Sequence, residues 1–265
     1  MKVSVVTVCL NGAPQIEKTI NSVLGQTYKD IEYIIIDGGS TDGTLEIIKK
    51  YEKNIARKVS EPDDGISCAF NKGLRLATGD IIGIISSDDW YEPDAVETAV
   101  RIFKDNPGAG VAHGDLQYWE NGVREMYLMP SKDLSEIKRE MVINHSTCFV
   151  KKEIYDKYGL FNEDLRYAMD YDLMLRFYVN SVQFVNAGKL MAHMSLGGKS
   201  DKNWYKAYRE VLESNFRNLD SKFFSFMSFC FKVTRTAVRI LLKKIGLNSV
   251  VVSFRTLQKR KKYEN

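Results

Sequence analysis

The first hundred residues alternate two kinds of hydrophobic pattern, and that alternation restricts the fold more than any other feature of the chain. Val3 to Val8, Tyr33 to Ile36 and Ile81 to Ile85 are short, nearly unbroken apolar runs rich in β-branched residues. Runs of this kind lie in a parallel sheet covered on both faces. Between them, Ile16, Ile20, Val23 and Leu24 recur at helical spacing. Helices are predicted over Thr44 to Tyr51 and Ser67 to Ala77, with a short strand near Lys58. A β-α-β-α-β-α-β succession closes through right-handed crossovers onto a mostly parallel sheet. The predicted class is therefore α/β, with a Rossmann-like central sheet flanked by helices.

Later segments are read in the same way. A helix is predicted from Pro93 to Asn106, a strand over Ala109 to Ala112, and a hairpin from Gln117 to Tyr127 around Asn121-Gly122. A strand at Cys148 to Val150, helices at Lys152 to Tyr158 and Asp170 to Asn180, and a strand at Gln183 to Asn186 follow. At 265 residues the chain fits one large domain or a catalytic domain with an appendage, here residues 1–220 and 221–265. Cys9, Cys68, Cys148 and Cys230 form no C-x-x-C pair, which argues against structural zinc and disulfides and fits a reducing cytoplasm. No signal-peptide pattern opens the chain, and the apolar stretch Phe223 to Phe231 is too short to span a bilayer.

The net charge of +4 conceals an asymmetry: residues from Ser221 onward carry eleven Lys and Arg against Glu264 alone, leaving −6 on the first 220. A basic tail on an acidic body points to an anionic partner. On a helical wheel of Phe223 to Ile245, Phe226, Phe229, Val233, Ala237 and Ile240 fall together, while Lys232, Arg235, Arg239 and Lys243 share another face. Two readings stay open: a terminal helix packed on the domain, or a helix lying on an anionic membrane surface. Nucleic acid is not an expected partner.

Ligands of open α/β sheets bind beyond the carboxyl ends of the strands, so acids there carry information. Asp37 follows one predicted strand, and Asp88 and Asp89 follow another. Three acids on one rim repel one another, and a hard divalent cation, Mn2+ or Mg2+, offsets that repulsion. The plainer role for Asp88 or Asp89 is to cap the helix near Pro93. The loop Asp37 to Thr44 similarly serves as a tight turn, with Thr41 or Asp42 as N-cap, or as a ligand approach.

The run Val3 to Asn11, the segment Asp37-Gly38-Gly39-Ser40-Thr41-Asp42-Gly43-Thr44, and Glu61-Pro62-Asp63-Asp64-Gly65-Ile66 together resemble family 2 glycosyltransferases. Asn71-Lys72-Gly73, Ala77-Thr78-Gly79-Asp80 and Ser87-Asp88-Asp89-Trp90 continue the match, and Asn144-His145-Ser146-Thr147 and Ala168 to Leu173 extend it more weakly. The resemblance implies a GT-A fold, a nucleotide-sugar donor (usually a UDP-sugar) and inversion at the anomeric carbon. It also implies that Val8 to Leu10, Asp37 and Asp63 hold the nucleoside, with Asn71, Ser87, Asp89 and His145 among the donor contacts. Asp88 matches the metal-binding acid, supported by Asp89, and Asp170 matches the catalytic base. His193 and Lys199, around Gly197-Gly198, are predicted to lie in a mobile loop that meets the diphosphate or the metal. Three positions depart from the family: Gly38 and Ser86 replace acids of the two motifs, and Cys68 replaces a frequent Asp.

The chemistry accounts for these residue types. A metal at Asp88 neutralises charge developing on the leaving diphosphate, and a carboxylate opposite takes the acceptor's proton. Direct displacement needs no enzyme nucleophile. For Asp170, the plainer role is a helix-start acid. A dinucleotide oxidoreductase is excluded because Thr7 to Gly12 lacks G-x-G-x-x-G. The expected acceptor is a glycan or lipid-linked oligosaccharide of surface polysaccharide synthesis, with the enzyme peripheral on the inner membrane face. A non-catalytic nucleotide-sugar or glycan-binding module is the alternative.

Overall fold

In a computed structural model, which describes residues 1–195 and 203–245, the alternation of the first hundred residues becomes a layered α/β domain. The elements in order are β1 (Val3–Cys9), α1 (Ile16–Leu24), β2 (Ile31–Asp37), α2 (Thr44–Lys50), β3 (Arg57–Ser60), α3 (Ile66–Leu76) and β4 (Ile81–Ser86). There follow β5 (Trp90–Tyr91), α4 (Ala95–Asp105), β6 (Ala109–Glu120), β7 (Val123–Leu128), β8 (Phe149–Lys151) and α5 (Lys152–Tyr158). The described chain closes with α6 (Met169–Val179), β9 (Gln183–Ser195), α7 (Trp204–Asn218) and α8 (Lys222–Lys244).

Among the described residues one sheet runs in the order β3-β2-β1-β4-β8-β6-β9-β5, with β7 paired to β6. The β3, β2, β1 and β4 pairings are all parallel, as the βαβ rhythm requires. Beyond β4 the pairing is mixed: β8 is antiparallel to both β4 and β6, whereas β6 and β9 are parallel. The predicted hairpin forms β6 and β7, with Asn121 and Gly122 at φ of 51° and 80°, the left-handed pair of a two-residue hairpin turn.

The apolar runs are continuous because both faces of the sheet are covered. Val6, Val8, Ile34, Ile36, Ile82 and Ile84 pack with Phe70 and Leu74 of α3 and Leu173 and Phe177 of α6. Val3, Val5, Tyr33, Ile35, Ile81 and Ile85 face Ile16 and Ile20 of α1, Ile48 of α2 and Phe103 of α4. At Gly73 of α3 an added Cβ would stand 2.2 Å from Val6 Cγ1. Gly73→Ala, favourable by helix propensity alone, is therefore expected to cost about 1–3 kcal/mol through overpacking. Urea unfolding measures this, and an unchanged midpoint would show that α3 does not sit so close to β1.

Glu32 and His113 are ionisable groups within these layers. Burial pushes the Glu32 carboxyl up, but hydrogen bonds from Ser4, Thr78 and Lys2 outweigh it and hold the group at about 2. His113 on β6 is 3% exposed, its Nδ1 has no partner, and burial lowers it to about 4. It is a buried neutral histidine and not a site residue. A base depressed from 6.5 to about 4 contributes stability that is complete above pH 6.5 and is lost as pH falls through 4. The loss amounts to about 3 kcal/mol. Denaturant midpoints taken from pH 7 down to 4 should fall steeply, and His113→Gln should flatten that slope.

Candidate active site

Strand order reverses between β1 and β4, which opens a crevice at their carboxyl ends. There the Ser87 N–H donates to the Val8 carbonyl at 3.0 Å. Thr19 of α1, fully buried, directs its hydroxyl at the carbonyls of Ser87 (2.9 Å) and Asp89 (2.7 Å). Gly12 leaves space for this turn, since a Cβ there would lie 2.8 Å from Ser87 Oγ. The chain after β1 is tied to the chain after β2: Asn11 Oδ1 accepts from Thr41 N, and Ser40 Oγ, Thr44 Oγ1 and Asp42 Oδ2 accept from the Asn11, Gly12 and Ala13 amides. Helix α2 starts at a Gly43 N-cap with φ 97°, and Asp42, just before it, accepts the Thr44 N–H. The N-cap is therefore neither Thr41 nor Asp42, as the sequence suggested, and Asp42 serves the turn from one residue earlier.

Asp37 is fully buried and its Oδ2 accepts from Gly39 N, Ser40 N and Ser60 Oγ at 3.1, 3.1 and 2.7 Å. Burial alone would raise its carboxyl, and these donors bring it below the usual range. Its Oδ2 thus braces the turn after β2, while Oδ1 meets only the Cys9 thiol, at 3.5 Å. Val8 is likewise core, at 5% exposure, whereas Leu10 is 56% exposed on the rim. Asp63 lines the gap above Gly38, with Oδ2 3.2 Å from where a Gly38 Cβ would sit, and it is paired with Lys72, which also meets Glu61 at 2.8 Å. Leu10, Gly38 and Asp63 therefore face one space. Asn71 does not join them. Its buried amide donates to Phe161 O and Glu163 and accepts from Phe161 N, so it braces the 161–163 segment.

The two acids after β4 differ. Asp88 is exposed in the crevice, and burial by the surrounding walls pushes its carboxyl up. Asp89 is 2% exposed, accepts from Ser146 Oγ at 2.9 Å and Ser195 N at 3.3 Å, and is held well above the ordinary carboxylate range by burial and the Asp88 charge. Among the described residues no cluster of three or more His, Cys, Asp or Glu is arranged for a metal. A Mg2+-like ion held by one or two carboxylates and substrate phosphates requires no such cluster. Asp88 fits that role: it is solvent-facing, and a cation would relieve the charge it shares with Asp89. His193 does not. It lies in strand β9, not in a loop, with Nδ1 accepting from Trp119 Nε1 at 3.0 Å and Nε2 on Glu92 at 2.6 Å. Both ring nitrogens are engaged, so neither can ligate a metal. The imidazole instead stacks on Trp90 at 4.9 Å, whose ring also carries the Lys18 ammonium, and so locks the turn bearing Asp88. Lys199 lies outside the described residues.

Asp170 stands in the first turn of α6, and Glu210 of α7 fixes that turn. One Glu210 carboxylate accepts from Arg166, Tyr167 and Ala168 amides, the last two at 2.7 and 2.8 Å, as a charge at a helix N-terminus should. Glu210→Gln is expected to cost about 1–2 kcal/mol. With Asp170 as the base that the resemblance implies, the same change should also lower turnover about tenfold, with donor KM unchanged. Equal turnover would separate the cap from the site. Asp170 Oδ1 is shut from solvent and has no hydrogen-bond partner, and neither does Asn144 Nδ2. Asp172 points elsewhere, paired with Arg176 at 3.0 Å and Arg217 at 3.4 Å.

The turn His145 to Thr147 joins the two acidic centres. Ser146 holds Asp89, while the Asp170 charge bears on the half-buried His145 ring, which burial lowers and which is wedged between Phe70 and Phe161. Thr19, Ser195 and Glu210 carry no motif of their own in the sequence, Ser146 lies in a matched segment without a predicted role, and helix α7 is absent from the predicted elements.

A family model described as Glycosyl transferase family 2 matches residues 4–159, more than half of the chain, and the chain belongs to that family. It is 35% identical over 179 residues to the chondroitin synthase of Pasteurella multocida, an alignment covering 66% of this chain and 18% of that protein. The chain thus spans less than a fifth of that relative's length. Among solved structures, S. aureus TarS 1-349 in complex with UDP-GlcNAc superposes with TM-score 0.66 at 18% identity, over 86% of this chain and 70% of that one. Mannosyltransferase PcManGT from Pyrobaculum calidifontis, in complex with GDP-Man and Mn2+, gives 0.63 at 17% identity, over 97% and 83%. These likenesses establish the GT-A fold.

Proposed function

We propose that the chain is an inverting glycosyltransferase that moves a sugar from a nucleotide-sugar, a UDP-sugar, to a hydroxyl of a glycan or lipid-linked glycan acceptor. Residues 1–220 form the catalytic unit and 221–265 an appended tail. The observation that carries the reading is Asp170 at the start of α6, a residue that lines a cavity and whose Oδ1 is buried without a hydrogen-bond partner. A buried acceptor atom without a donor costs free energy unless a ligand supplies one, and an acceptor hydroxyl is such a donor.

In this reading Leu10, Gly38 and Asp63 receive the nucleoside, Asp37 and Asp89 hold their loops in place, and Asp88 faces the diphosphate. A divalent ion held there by Asp88 and the diphosphate oxygens would supply Lewis-acid stabilisation of the leaving group. Asp170 takes the hydroxyl proton, the acceptor oxygen bonds to the anomeric carbon, and the bond from that carbon to the diphosphate breaks, with the electron pair leaving on UDP. His145 and Asn144 border the reacting centre. Several apolar side chains of α8, Phe223, Phe224, Phe231 and Leu241 among them, are exposed, and no helix among the described residues is long and apolar enough to cross a membrane. Such a surface, beside basic residues, suits peripheral attachment to an anionic membrane face.

Release of UDP from a panel of UDP-sugars, with and without Mn2+ and with glycan acceptors present, tests the reading. Metal-stimulated release with at least one donor is expected. Tight UDP binding without turnover of any donor would leave a binding module instead.

A further inference from the structure

By sequence the tail lies outside the catalytic pattern, yet α8 forms one wall of the cavity at Asp170. This cavity, of about 230 Å³, is lined by Tyr167 and Asp170 at the start of α6, Tyr208 and Val211 of α7, and Lys232 and Arg235 of α8. Two of the four basic residues that the helical wheel groups, Lys232 and Arg235, here line the cavity that Asp170 lines. The Lys232 ammonium donates to the Arg139 carbonyl and has further donors to offer. Glu140, on the same rim, partly offsets its charge. Arg235 is not offset: its guanidinium lies over the Phe231 ring at 5.9 Å and has no ion pair or hydrogen bond among the described residues.

Asp170, whose Oδ1 has no donor, therefore lines one small cavity together with two cations, Lys232 and Arg235, the second without an ion pair among the described residues. A guanidinium fork matches phosphate oxygens in geometry and charge. From the phosphate position, Phe223, Phe224, Met227 and Phe231 continue outward along α8, exposed by 69, 72, 51 and 67%. Resting on the reading of Asp170 as the base, we propose that this cavity is the acceptor subsite and takes a sugar linked through phosphate to a lipid. The sugar hydroxyl meets Asp170, the phosphate meets Arg235 and Lys232, and the lipid chain follows the phenylalanines. The tail is thus part of the acceptor site as well as a surface for a membrane.

The test uses the full chain saturated with UDP, so that the diphosphate position near Asp88 is filled, and citronellyl diphosphate as probe in calorimetric titration. The wild type should bind it, and Arg235→Gln and Lys232→Gln should each weaken binding about tenfold, the effect of one lost charge-assisted contact, with UDP affinity unchanged. Equal affinity in the wild type and Arg235→Gln would overturn the proposal, as would no binding at all. Arg235 is exposed, so its variant reports even where Lys232→Gln fails to fold. Inorganic pyrophosphate binding as tightly as the prenyl compound would make the site one for free phosphate and overturn the lipid link. Binding to phosphatidylglycerol vesicles with none to the prenyl compound would make it a headgroup surface and do the same. A wild type that does not bind UDP would instead strike at the glycosyltransferase reading itself.

Discussion

Replacing Asp170 by Asn should lower glycosyl transfer about 10³-fold while leaving UDP affinity within about twofold of wild type. The substitution keeps size and hydrogen-bonding reach but removes the ability to take a proton. Because Oδ1 has no partner within the protein, little of the fold depends on its charge, and Glu210 still caps the helix from outside. The loss should therefore appear in turnover and not in melting temperature. Product formation followed by mass spectrometry, beside UDP titration, separates the two. Turnover near wild type would remove the base from this position. Asp172 could not inherit the role, since Arg176 and Arg217 hold it.

Asp88→Asn should have the second largest effect, a loss of about 10²–10³-fold in transfer that added Mn2+ does not restore. The wild type, stripped with EDTA, should recover on adding Mn2+. The same variant should melt higher than the wild type when both are metal-free at neutral pH. The sign follows from the raised carboxyls of Asp88 and Asp89: two groups held above their ordinary values destabilise the fold once both are charged, and a neutral amide removes that repulsion. Stability gained where activity is lost marks a site built for a ligand. Full Mn2+ rescue of Asp88→Asn would place the cation elsewhere.

The expected elements of the first hundred residues are present because each apolar run is buried on both faces by helices encoded next to it. The rims bearing Asp37, Asp88 and Asp89 could be located for the same reason: a residue that ends a buried strand has one place to go. Division of labour among those acids was not legible. Asp37 and Asp89 follow strands just as Asp88 does, but two of the three donors to Asp37 Oδ2 come from the turn just after it, whereas those of Asp89 come from Ser146 and Ser195, which are 57 and 106 residues away. Asn71 and His193 read as ligand contacts for a related reason, since nothing near them in sequence reveals Phe161, Trp119 or Glu92.

By itself, then, the sequence determined the parallel half of the sheet, the crevice at its switch point and the residue types available there, all of which follow from local periodicity and strand ends. Tertiary structure alone decided which carboxylates stay free. It set α7 beside α6 through Glu210 and placed Lys232 and Arg235 of the tail on the cavity that Asp170 lines. Those outcomes depend on donors, charges and packing partners far apart along the chain, and no local pattern records them.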